Sequence, residues 1–103
     1  MKNSAKESSE KLKILVVEEN QEACSALEEL LKVLGHSVMV TQDGEDALKM
    51  FHETIPDLVF SGLTLPKLGG MELLREVKSG SGKTLFVMIC PMSDPEKIQQ
   101  TLK

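Results

Sequence analysis

Apolar residues in this chain fall into four short unbroken runs, separated by longer stretches in which they recur every three or four positions. The runs are Ile14-Leu15-Val16-Val17, Val38-Met39-Val40, Leu58-Val59-Phe60 and the segment 85–89 (Leu-Phe-Val-Met-Ile). Continuous apolar runs of this length, rich in β-branched residues, predict strands covered on both faces, as in a parallel sheet. The intervening stretches predict amphipathic helices. Asn20 is a good N-cap, and Ala23, Leu27, Leu30, Leu31 and Leu34 form an apolar stripe that Gly35 ends. Asp43 caps a second helix that buries Ala47, Leu48 and Phe51. A third has Met71, Leu74 and Val77 inward and closes at Gly80-Ser81-Gly82. Ser93, three before Glu96 and with Pro95 between them, opens a fourth that places Ile98 and Leu102 inward. The order is β-α-β-α-β-α-β-α, which predicts a parallel α/β sheet built by right-handed crossovers.

Composition narrows this picture. A chain of 103 residues holds one small domain, and 41% apolar residues supply a core that 3% aromatics leave aliphatic and rich in Met. The polar stretch 1–11 reads as a disordered tail, with the domain over 12–103. A net charge of −4 argues against direct nucleic-acid or anionic-membrane binding. No apolar run is long enough to span a bilayer, and Cys24 and Cys90 lack paired spacing, so a reduced, cytoplasmic protein is expected. Both thiols read as small apolar fillers. His36 and His52 stand apart, without metal-ligand spacing, and read as surface residues.

In a parallel α/β sheet, chemistry sits at the carboxyl ends of the strands. The run 58–60 continues through Ser61 to Gly62, and then to Leu65-Pro66 and Gly69-Gly70, which mark a loop. The strand tip therefore carries a hydrogen atom where a functional group is expected. The first strand ends abruptly at Glu18-Glu19.

Taken together, Ile14-Leu15-Val16-Val17-Glu18-Glu19-Asn20, Leu34-Gly35, Asp43-Gly44-Glu45-Asp46-Ala47-Leu48, and Pro56-Asp57-Leu58-Val59 leading to Leu65-Pro66 and Gly70 resemble the receiver domain of response regulators. The resemblance covers residues 12 to 103. It implies a flavodoxin-like (CheY-like) three-layer sandwich with sheet order 2-1-3-4, and a fifth strand and helix of the family beyond this sequence. It implies a signalling module of two-component phosphorelays rather than an enzyme. In that family an aspartate at the end of the third strand accepts a phosphoryl group from a histidine kinase; the matching position is Gly62. The acidic pair that holds Mg²⁺ matches Glu18 and Glu19, and the Ser/Thr ending the fourth strand matches Cys90. The lysine ending the fifth strand has no counterpart.

Aspartyl phosphorylation needs a carboxylate oxygen as nucleophile, and glycine has none. Ser61 is expected to face away, because successive strand residues alternate, and Asp57 to be a turn residue at the opposite end of the strand. Mg²⁺ wants near-octahedral oxygen ligands. Glu18 and Glu19 offer some, and the alternative is a solvated acidic rim beside a helix N-terminus. No other cofactor is expected. The expectation is a pseudo-receiver acting through protein partners, such as a histidine kinase or an output domain. The strand 85–89, read as a sheet edge, suggests a homodimer through that edge or an uncovered sheet face, with Leu85, Val87, Ile89, Ile98 and Leu102 as contact residues. Two other readings stay open: an active phospho-receiver with an unusual acceptor, and an assembly unit whose function is dimerisation. Flavin binding by fold analogy lacks a phosphate-binding loop.

Overall fold

A computed structural model describes residues 10–89. Four strands and three helices alternate: β1 (Lys13–Val17), α1 (Gln21–Val33), β2 (Ser37–Thr41), α2 (Gly44–Thr54), β3 (Leu58–Gly62), α3 (Gly70–Gly80) and β4 (Leu85–Ile89). All pairings are parallel, in the order β2-β1-β3-β4. This is the predicted flavodoxin-like topology. Residues 1–9 of the expected tail, the helix opened by Ser93, and Cys90, Ile98 and Leu102 lie outside the described residues.

The caps form as the residue types require. Asn20 Oδ1 accepts from the Ala23 N–H at 2.9 Å, and Asp43 Oδ1 from the Asp46 N–H at 2.7 Å. Gly35 follows α1 with φ +97°, the left-handed region that suits a glycine after a helix. α2 ends without one. Ile55 takes φ +44°, and Pro56, which has no N–H to give, follows it.

The sheet carries two cores. On one face Leu15, Val17 and Val59 pack with Ala47 and Phe51 of α2, Leu73 and Val77 of α3, and Leu65. On the other, Ile14 and Val16 pack with Cys24 and Leu31 of α1. Two helix faces differ from the stripes predicted by spacing. In α1 the buried residues are Cys24 and Leu31, with Leu27 half-buried, while Ala23 is exposed and Leu30 and Leu34 are 54% and 58% exposed. The helix is rolled so that its most leucine-rich line lies on the flank of the contact. In α3 the buried residues are Gly70, Leu73 and Val77, and Met71 and Leu74 are only half-buried. That face begins at a glycine, which hydropathy does not register.

The amino end of the sheet is fastened through Asp57. Its Oδ2 accepts from the Lys13 N–H at 2.8 Å, its own N–H donates to the Lys13 carbonyl at 2.8 Å, and its carbonyl accepts from the Leu85 N–H at 3.0 Å. Asp57 is thus a strand-joining residue at the end remote from the tip, as its place in the sequence implied. His36 is half-buried, and its Nδ1 accepts from the Leu12 N–H at 3.2 Å. It supports the start of β1 rather than standing free on the surface.

Candidate functional site at the carboxyl end of the sheet

Strand register brings the candidate residues together. Val17 pairs with Ser61 and Gly62 with Ile89. One residue beyond Val17, Glu18 reaches the level of Gly62, and its N–H donates to the Thr41 carbonyl of β2 at 3.1 Å. The row across the tip is therefore Glu18, Gly62 and Ile89, with Thr41 one level below, beside Val17.

Gly62 is buried, and the space above its backbone is taken by Glu18. Glu18 Oε2 accepts from the Asn20 N–H at 3.0 Å, so the carboxylate folds back over the start of α1, where unpaired amides favour a negative charge. Glu19 is exposed. Ser61 is fully buried and its hydroxyl donates to the Gly62 carbonyl at 2.8 Å, so it faces into the protein, as strand alternation predicted.

The loop after β3 is held from two sides. The Gly44 N–H donates to the Pro66 carbonyl at 3.1 Å, and the Gly70 N–H to the Leu63 carbonyl at 2.9 Å. A Cβ at Gly44 would come within 1.8 Å of the Leu68 carbonyl oxygen, and one at Gly70 within 2.2 Å of the Gly62 carbonyl oxygen. Both helices therefore start against the loop backbone itself, and both starts need glycine. Sequence reading took these glycines as turn markers; that they are contact points between backbones leaves no separate trace in the pattern.

The donor set for Mg²⁺ stops short. Among the described residues no group of three or more His, Cys, Asp and Glu side chains is arranged to hold a metal ion. Of the pair Glu18 and Glu19, the first spends one oxygen on the Asn20 amide. A hard cation that demands six oxygens finds a poor fit here.

Two features lie outside the sequence reading. A shallow polar hollow of about 140 Å³ at the start of α2 is lined by Asp43, Glu45, Asp46, Lys49 and Lys67. It is smaller than usual ligand sites, and Lys67 Nζ lies 3.9 Å from Asp43 Oδ2, so its charges offset one another. The Cys24 thiol is buried under α1. Burial pushes its pKa above the ordinary 9.0, and the Glu28 and Glu18 carboxylates push it further the same way. It is a packed, unreactive thiol.

The response regulator receiver domain family matches residues 14–103. This chain belongs to that family. As a receiver domain it is 32% identical over 78 residues to "Probable transcriptional regulator ycf27" of Guillardia theta, covering 76% of this chain and 31% of the relative. It is 30% identical over 86 residues to the transcriptional regulatory protein CpxR of Klebsiella pneumoniae, covering 84% and 37%. The receiver therefore spans about a third of the length of these curated relatives. Among solved structures, the chemotaxis response regulator CheY4 of Vibrio cholerae superposes with a TM-score of 0.79 at 25% identity, covering 88% of this chain and 78% of that one. The receiver is a module of two-component signalling, and among its described residues no helix is long and apolar enough to cross a membrane.

Proposed function

We propose that this receiver domain is a pseudo-receiver: it takes no phosphoryl group at the family position and signals through protein contact. The observation that carries the reading is the tip of β3, where Gly62 presents backbone beside Glu18. Acyl phosphate formation needs a carboxylate nucleophile at that point, and backbone supplies none. The adjacent hydroxyl of Ser61 is buried and turned inward, which weighs against it as a substitute. Glu18 and Glu19 then serve as an acidic rim and not as a Mg²⁺ site.

The test is direct. The whole chain is incubated with acetyl phosphate and Mg²⁺ and its intact mass is measured. No added phosphoryl group is expected. Stoichiometric incorporation overturns the reading and favours an active phospho-receiver with an unusual acceptor.

The contact surface is proposed on β4. Leu85, Val87 and Ile89 are 65%, 40% and 36% exposed and point to the same face of the sheet, an apolar strip on the outermost of the described strands. A protein surface covers it in the working assembly, and a second copy of this chain is the proposed occupant. The histidine kinase or output domain of the pathway is the further partner, the latter in keeping with the transcriptional regulators among the relatives. Light scattering across a dilution series tests the self-association. Dimer at micromolar concentration is expected, and monomer throughout removes the homodimer.

A further inference from the structure

Why position 62 should be glycine, rather than merely lack an aspartate, is a question of space. A Cβ built on the Gly62 backbone would lie 3.0 Å from Glu18 Oε1, 3.7 Å from Glu18 Cδ and 3.6 Å from Leu65 Cδ2. The last two are ordinary contacts; the first requires the carboxylate to give way. The backbone is not the reason for the glycine. Gly62 is a regular β3 residue and does not have positive φ, so an alanine could adopt the same conformation. Glycine inside a strand is ordinarily unfavourable, because the unfolded chain has more freedom to lose.

Glu18 reaches this point under two constraints. Its N–H is tied to the Thr41 carbonyl, and Oε2 to the Asn20 N–H at the start of α1. With Oε2 so engaged, Oε1 is left facing Gly62.

We propose that Glu18 and Gly62 are a coupled pair: the carboxylate from β1 has taken over the space at the tip of β3, and the glycine is there to admit it. The functional meaning rests on the pseudo-receiver reading. The cleft then holds a carboxylate supplied from the neighbouring strand, whose presence depends on no phosphoryl transfer. Returning a carboxylate to position 62 would set it against the one already present.

A double-mutant cycle in the whole chain, read by urea unfolding, tests the pair. In a Glu18→Ala background, Gly62→Ala meets no obstacle and is expected to raise the folding equilibrium constant about two- to fivefold, by restricting the unfolded chain. With Glu18 present, the same change is expected to give no gain or a loss. Equal effects in the two backgrounds overturn the proposal. Glu18→Gln separates shape from charge. It should leave the effect of Gly62→Ala as it is with Glu18, and should relieve at least about half of the loss caused by Gly62→Asp, as expected for a neutral isostere beside a carboxylate. If Gln relieves nothing, the charge half of the proposal fails. These readouts do not involve phosphorylation, so phosphoryl uptake by the unaltered chain would sink the pseudo-receiver reading and leave the coupling standing.

Discussion

The two faces of the sheet are made from alternate residues of the same four strands, yet they are finished differently. Under α2 and α3, Leu15, Val17, Val59, Ala47, Phe51, Leu73 and Val77 are all buried, and Met39 and Phe86 pack at the margins. Under α1, Ile14 and Val16 are buried with Cys24 and Leu31, but Phe60 is half-buried and the three alternate residues of β4 are open. Among the described residues, two helices lie on the first face of the four strands and one on the second. Since apolar burial stabilises by roughly 25 cal/mol per Å², the more completely buried first face is the stronger described contributor to stability. The second leaves Leu85, Val87 and Ile89 open among the described residues.

The largest expected effect belongs to the closed face. Phe51→Ala removes a fully buried ring from between α2 and the sheet and should cost about 3–5 kcal/mol in urea or thermal unfolding. A loss below about 1 kcal/mol would mean that the closed face is not the main core. Gly70→Ala comes next. Its Cβ would meet the Gly62 carbonyl oxygen at 2.2 Å and Leu63 backbone at 3.0 Å, and about 1–3 kcal/mol is expected. Rapid amide exchange in the loop 63–69 of that variant would show where the strain is released. The smallest effect is on the open face. The double change Leu85→Ser and Val87→Ser should alter the stability of the dilute protein by about 0.5 kcal/mol or less per site, while abolishing self-association in light scattering. A large loss at high dilution would show that the strip is part of the monomer's own core.

The same asymmetry explains what was legible beforehand. The strands announced themselves because each is an apolar run bounded by turn residues, and their order followed from the alternation with helices. The caps at Asn20 and Asp43 followed from residue type alone. Helix orientation did not. In α1 the leucines at 30 and 34 outweighed Cys24, a thiol that packs like a small apolar residue, and in α3 the buried line runs through Gly70, Leu73 and Val77. At the site, the family pattern placed Glu18 beside Gly62, and the register agrees. What no pattern contained was the direction of the Glu18 carboxylate. That direction is set by one hydrogen bond to the Asn20 amide, and only three-dimensional placement reveals that the glycine is occupied ground.

The clasp formed by Asp57 has a consequence for substitutions at the cleft. One residue stitches β1, β3 and β4 together at the end of the sheet opposite the cleft. Alignment of the three strands is therefore secured without help from the residues that do chemistry. Substitutions at the carboxyl end of the sheet therefore leave this fastening of the strand starts untouched.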